Sequence, residues 1–280
     1  MKVVRQFQVR GASGNVTEAN FDGRRVDFWA PKAPTPFLLV THDGQNIFDK
    51  RSATKGRTWE LAGAATKVAA ELGIPAPAII AVFHSSNPQD PDGRRKDLTP
   101  EDLFLNGFEQ SANNAGTGLP PSRPLPNDQL RGNQYLQHIS QSIAPTICDY
   151  LSHKHLPQYT AMLGASMGGL ASLYGMAKHP TFYQTALAFS THWIIGGDRL
   201  VEDLMAIQPD PDNHKIWMSR GTKSLDASYK PHQDYANTLA ELRGYRHGKN
   251  LATPVYKNTS HNERSWGSYV NQALRFWLTE

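Results

Sequence analysis

The stretch Thr160-Ala161-Met162-Leu163-Gly164-Ala165-Ser166-Met167-Gly168-Gly169-Leu170 decides how this chain is read. Residues 160–163 read as a short buried strand and 170–177 as a helix, so the Gly-x-Ser-x-Gly turn at 164–168 joins a strand directly to a helix. A serine on such a turn has a strained backbone, and only small neighbours avoid clashing across it; Gly164, Ala165, Gly168 and Gly169 meet that need. The turn lifts the Ser166 hydroxyl out of the sheet. It also puts the Met167 backbone N–H at a helix start, where it can meet negative charge on an attacked carbonyl oxygen. Taken alone, the pattern also fits a glycine-rich turn that merely packs a helix on a strand. Its place in the middle of an α/β chain makes Ser166 the candidate nucleophile.

Outward from this turn, strand and helix signals alternate. Apolar and β-branched residues alternate over 3–9 and 26–30, which predicts an opening antiparallel pair. The runs at 37–40 and 78–83 are continuously apolar, as expected of parallel strands buried on both faces. Between them, Leu61, Ala65, Val68, Ala69 and Leu72 recur at helical spacing within 59–72 and supply the crossover. The rhythm continues with a helix over 134–151 and strands at 160–163, 185–189 and 216–219. A helix over 234–242, a strand at 253–256 and a terminal helix over 269–278 complete it. This order predicts one α/β domain over 1–280, a doubly wound, mostly parallel sheet with helices on both faces. Residues 87–131, rich in Pro, Gly, Asn and Asp, are too long for an ordinary connection and read as a lid or insertion. Leu200, Leu204 and Ile207 hint at a small helix within 194–213.

The 280 residues, with 39% hydrophobic, 19% charged and six Trp, exclude disordered and fibrous classes. The charge balance, 29 − 25 = +4, is too small and too evenly spread to indicate nucleic acid. The basic runs 50–57 and 94–96 read as solvated loop charge; Arg94, Arg95 and Arg131 are the cations nearest a candidate anion-binding role. No run is long enough to cross a bilayer and no apolar leader stands at the N-terminus, so the expected address is the cytoplasm. A single cysteine, Cys148, excludes an intrachain disulfide and reads as a small buried hydrophobe. His153 and His155 are the one close histidine pair and read as surface residues. No P-loop or dinucleotide fingerprint follows a strand, so neither a metal nor a cofactor is expected.

A serine hydroxyl needs a general base at neutral pH. His261 follows the last predicted strand and precedes the terminal helix, and the order Ser…acid…His is the one this topology uses. His153, His155, His214, His232 and His247 read as surface or capping residues. Asp226, in the loop after the strand at 216–219, is the candidate orienting acid, with Asp234 and Glu263 as rivals. The loop after 37–40, Thr41-His42-Asp43-Gly44-Gln45-Asn46, sits where a second oxyanion donor is needed; Gly44 permits close approach and the Gln45 amide comes first after it. Asn46, in the same loop, counts among the substrate-facing candidates. Trp217, within a strand, reads as core, whereas Trp193 and Trp266 lie close to presumed site loops and are the pocket candidates.

HDGQN at 42–46, GASMGG at 164–169, FSTHW at 189–193, GTKSLDASY at 221–229 and SHNERSW at 260–266 together resemble the α/β-hydrolase esterases related to esterase D and enterochelin esterase. The resemblance covers most of the chain from about Val26 and keeps the family's order. It implies an α/β-hydrolase fold, a Ser166, Asp226 and His261 triad, Gln45 and Met167 as oxyanion amides, and His192 and Trp193 facing the cleft.

The expected activity is therefore hydrolysis of a small-molecule carboxylic ester through an acyl-enzyme, with no nucleic acid or membrane partner. The alternatives are an acyltransferase using the same residues and a binding protein on a hydrolase scaffold. The acyl and alcohol groups are not legible, and association of copies into a homo-oligomer is compatible with the sequence.

Overall fold

The chain opens with three antiparallel strands rather than two. β1 (Lys2–Gln8) pairs with β2 (Asn15–Phe21), and β2 pairs in turn with β3 (Arg24–Trp29), so the strands expected to be partners are separated by a third. β2 reads NVTEANF, and Val16, Thr17, Ala19 and Phe21 are its buried residues. A register shift between Val3 and Arg5 marks an irregularity in β1.

The computed structural model describes residues 1–105, 125–151 and 157–279. They form two compact units: Met1–Ser85 with Gln137–Leu163 and Asn262–Glu280, and Ser86–Leu136 with Gly164–His261. In the first unit, β4 (Phe37–Thr41) and β5 (Ala78–Val82) are the two apolar runs, parallel to each other. β3 lies antiparallel to β5 on one side, and β6 (Tyr159–Ala165) runs parallel to β4 on the other. Leu38, Leu39, Val40, Ile79 and Ile80 are wholly buried, as strands covered on both faces should be. The crossover helix Leu61–Leu72 packs against the terminal helix Glu263–Leu278.

That terminal helix starts six residues earlier than its apolar period announces, because Asn262 caps it: the Asn262 side chain accepts a hydrogen bond from the Ser265 N–H at 3.0 Å. The helix expected over 134–151 consists of Gly132–His138, a widened turn Ile139–Ile143, and Ala144–Tyr150. Pro145 follows the widened turn and has no N–H to give the preceding turn, which is the physical reason for the interruption.

In the second unit, the helix Met167–Lys178 follows the last residues of β6, and its residues 167–176 are all buried. β7 (Thr185–Phe189) and β8 (Lys215–Gly221) run parallel, and β8 also pairs with two short strands, β9 (Leu251–Ala252) and β10 (Val255–Tyr256). One strand was expected there; Pro254 divides it. The small helix is Gly197–Ala206, with Leu200 and Leu204 buried; Ile207 lies beyond its end and is exposed. It packs against Lys230–Leu242.

Of the segment 87–131, residues 106–124 lie outside the described residues. The flanking parts are folded, with Asp97, Leu98, Leu125 and Leu130 buried. Three of its basic residues are engaged locally: Arg95 with Asp92 at 2.9 Å, Lys96 with Asp90 at 2.8 Å and Arg131 with Asp90 at 3.1 Å. Cys148 is buried, which pushes its thiol up to about 11.

Candidate active site

Every residue from 160 to 176 is buried except Ser166. Its backbone has φ 60° and ψ −120°, a conformation that costs a non-glycine residue about 1–3 kcal/mol. Four backbone hydrogen bonds hold it there. The Ser166 N–H donates to the Phe189 carbonyl at 2.9 Å, and its own carbonyl accepts from Gly169 at 3.0 Å, Leu170 at 3.3 Å and His192 at 3.2 Å. The turn needs its glycine, since a Cβ on Gly164 would lie 2.4 Å from the Gly168 carbonyl oxygen. Met167 opens the helix, and its N–H belongs to the first turn, where no intrahelical acceptor exists.

Two further serines near this turn also have left-handed backbones: Ser190 at φ 45°, just after β7, and Ser224 at φ 57°, just after β8. The second leads into the short helix Leu225–Ser228, which carries Asp226, a wholly buried carboxylate. One Asp226 oxygen, Oδ2, accepts from the Gly221 N–H at 2.6 Å and the Ser190 hydroxyl at 2.7 Å. The other, Oδ1, lies 2.7 Å from His261 Nδ1. Two donors thus hold the carboxylate while its free oxygen meets the imidazole.

His261 is brought there by its loop. The Thr259 carbonyl accepts from the Thr222 and Lys223 amides at 3.2 and 3.0 Å, and the Asn258 N–H donates to Thr222 Oγ1 at 2.9 Å. A Cβ on Gly221 would lie 2.4 Å from the Thr259 carbonyl oxygen, so only glycine lets the loops after β8 and β10 close so tightly.

The rival acids are engaged elsewhere. Asp234 is about half exposed and pairs with Lys230. Glu263 accepts from Asn46 Nδ2 at 3.1 Å within the first unit. Other histidines take the surface and capping roles expected of them: His214 lies against two backbone carbonyls, His232 pairs with Asp198 and His247 with Glu241. His153 and His155 lie outside the described residues.

The remaining expected site residues divide. His192 belongs to the cluster around Ser166, its Nδ1 being 2.5 Å from the Tyr229 hydroxyl. Burial, then the neighbouring charges of His261 and Arg94, push its imidazole down to about 3, so it is neutral at ordinary pH. Trp193 is wholly buried and donates its indole N–H to Gln233 Oε1 at 3.2 Å, which makes it core here rather than a pocket wall. Trp266 is buried in the first unit against Trp59, the ring centroids 5.7 Å apart. Asn46 holds its own loop: besides the bond to Glu263, its Oδ1 accepts from the Thr54 N–H at 2.8 Å. Gln45 follows Gly44 in a single helical turn in the first unit and gives its side-chain amide to Asp43 at 3.3 Å. Trp217 is buried in β8, as expected.

One residue of the cluster escaped sequence reasoning. Tyr229 is wholly buried; its hydroxyl lies 2.5 Å from His192 Nδ1 and beside the Ser166 side chain, and its ring lies 5.6 Å from the His261 ring. Burial first, then the Asp226 charge, hold its phenol well above the ordinary value, so it keeps its proton. The signal was available: Tyr229 follows Asp226 by three residues, and on a helical turn that spacing puts both on one face.

The sequence profile of a family described as "Putative esterase" matches residues 110–276, more than half of the chain. The chain belongs to this esterase family. Curated proteins offer no match to it. Among solved structures, the enterobactin esterase of Shigella flexneri superposes with a TM-score of 0.62 at 14% identity, over 96% of this chain and 61% of that one. The siderophore hydrolase EstB of Aspergillus nidulans gives 0.54 at 15% identity, over 98% and 97%. An IroE-like serine hydrolase of Shewanella oneidensis gives 0.58 at 15%, over 90% and 74%. At these identities the likeness is one of fold, that of the α/β-hydrolase esterases. The chain spans 57–61% of the enterobactin esterase chains it resembles.

Among the described residues, no group of three or more His, Cys, Asp or Glu could hold a metal ion, and no helix is long and apolar enough to cross a membrane.

Proposed function

We propose that this chain is a serine carboxylic-ester hydrolase that works through an acyl-enzyme on Ser166. The observation that carries the reading is the 2.7 Å contact between His261 Nδ1 and Asp226 Oδ1, with the other carboxylate oxygen already occupied by two donors. A carboxylate held this way keeps the imidazole in the tautomer whose Nε2 is free to take a proton.

In the first half-reaction Ser166 Oγ attacks the ester carbonyl carbon while His261 Nε2 takes its proton. Charge gathers on the carbonyl oxygen, where the Met167 N–H at the start of a twelve-residue helix is a donor that needs no reorganisation. Collapse breaks the bond to the alcohol, which leaves with the proton from His261. Water then repeats the cycle on the acyl-enzyme and releases the acid. The enterobactin esterases and siderophore hydrolase among the similar structures make siderophore esters the first physiological substrates to try.

The test is intact mass after a fluorophosphonate, together with turnover of a short-chain p-nitrophenyl ester. One adduct per wild-type chain is expected, absent from Ser166→Ala, whose turnover falls by about 10⁴-fold or more. A folded Ser166→Ala protein that still takes the adduct or still turns over would remove Ser166 as nucleophile.

A further inference from the structure

The Tyr229 hydroxyl lies 2.5 Å from His192 Nδ1 and stands beside the Ser166 side chain. A phenol has one proton to donate, so the direction of any bond it makes matters. In the acyl-enzyme Ser166 Oγ is an ester oxygen and carries no proton, so a bond between the two can be made only by the phenol donating. The phenol oxygen then accepts from His192, which must carry its proton on Nδ1. Both groups are in the right state, the phenol protonated and the imidazole neutral.

We propose that Tyr229 is a further catalytic residue whose O–H donates to Ser166 Oγ as the acyl-enzyme breaks down, and that His192 is the positioning residue that aims it. The proposal rests on the reading of Ser166 as the acylated nucleophile. In deacylation, water adds to the acyl carbon as His261 takes a water proton. When the tetrahedral intermediate collapses, the C–Oγ bond breaks and its electron pair goes to Oγ. The His261 Nε2 proton then moves to Oγ and restores the serine, and Tyr229 keeps its own proton throughout.

The benefit falls unequally on the two half-reactions. The alkoxy oxygen of an ester is a poor acceptor because its lone pair is delocalised into the carbonyl, whereas the departing Oγ, gathering charge, is a strong one. A bond that strengthens on the way to the transition state lowers the barrier. Before acylation Oγ belongs to a free hydroxyl, already a good acceptor, so the same bond changes little on attack.

The surroundings favour a fixed donor. Tyr229 packs with Ile194 and Leu225 in a buried cluster, and the His192 and Tyr229 rings meet edge to face at 5.7 Å. The turn carrying His192 is tied to the helix after Tyr229 through the bond from Trp193 to Gln233.

The experiment is pre-steady-state hydrolysis of a p-nitrophenyl ester by wild type, Tyr229→Phe, His192→Ala and His192→Asn, with fluorophosphonate labelling of each. Tyr229→Phe should lower kcat by about tenfold or more, as loss of one donor to a charge-gathering oxygen does. KM should fall with it, leaving kcat/KM within about threefold, and a burst of one p-nitrophenol per site should appear. Labelling, which involves no deacylation, should stay near wild type. His192→Ala should move in the same direction, and His192→Asn, which keeps an N–H near the Nδ1 position, should recover most of the loss.

A Tyr229→Phe protein with wild-type kinetics, or one whose kcat/KM falls as far as kcat with no burst, overturns the proposal. Should Tyr229→Phe not fold, His192→Ala carries the same prediction, and wild-type kinetics there overturn it equally. Wild type that takes no adduct on Ser166 fails the esterase reading itself, a different and recognisable result.

Discussion

The cluster around Ser166 in the second unit and a cleft in the first unit hold their polar groups in opposite ways. The cleft, about 610 Å³, is lined by Arg10, Lys50, Arg57, Glu60, Lys67 and Arg264 among others, and none of Ser166, His192, Asp226, Tyr229 or His261 lines it. The ion pair of Lys50 with Glu60 in it is 3.7 Å long between side chains 66% and 55% exposed. Water solvates such charges whether or not they meet, so the pair adds little to stability. Asp226, Ser190 and Tyr229 are wholly buried instead, and the bonds among Asp226, Gly221, Ser190 and His261 are 2.6–2.7 Å long. A buried polar group left unpaired is costly, so these groups have essentially one arrangement. The size of a void therefore says less about chemistry here than the convergence of satisfied, buried polar groups.

The strongest blow to that contrast is Asp226→Asn. The amide cannot accept from Gly221 and Ser190 and still present an acceptor to His261 in the same geometry. We expect kcat for a p-nitrophenyl ester to fall by about 10³–10⁴-fold and the urea midpoint to drop as well, since buried donors lose their partner. Activity within tenfold of wild type would mean that the carboxylate does not orient the base.

A smaller effect concerns pH. With its folded-state pKa near 3, His192 stays neutral in the native protein while the unfolded chain binds a proton at about pH 6.5. The unfolded state therefore takes up the proton first on acidification. The contribution of His192 to stability is complete above about pH 6.5 and is lost as pH falls toward 3, at a limiting slope of about 1.4 kcal/mol per pH unit. Urea unfolding of wild type and His192→Asn between pH 4.5 and 7 should give a shallower slope for the variant. Parallel slopes would mean that the imidazole is not held neutral.

The weakest effect belongs to the cleft. Lys67→Ala should leave kcat/KM within about twofold and stability within about 0.5 kcal/mol, because an exposed cation is replaced at little cost. A larger change would bring the cleft into the chemistry and erase the distinction between the two regions.

Much of the fold was legible because its signals are local. Continuous apolar runs announced β4 and β5, the alternating rhythm announced β7, and the strand-turn-helix context announced Ser166. The pairing of Asp226 with His261 across 35 residues was also anticipated, from chain order and from the family resemblance. Elements whose character depends on neighbours were missed. β2 carries Asn15, Glu18 and Asn20, poor strand formers, and becomes a strand through pairing on both sides. The early start of the terminal helix lies in a cap, Asn262, rather than in apolar period.

By itself, then, the sequence determined the α/β order, the strained serine turn and the chemical types that could serve it, because these follow from backbone sterics and spacing along the chain. Only the tertiary structure decided which of ten tyrosines joins the cluster around Ser166. Tyr229 and His192 are 37 residues apart, and Trp193, expected in a pocket, turned out to be core. A hydrogen bond forms between groups within about 3 Å, and between distant residues that proximity is set by how the elements carrying them pack.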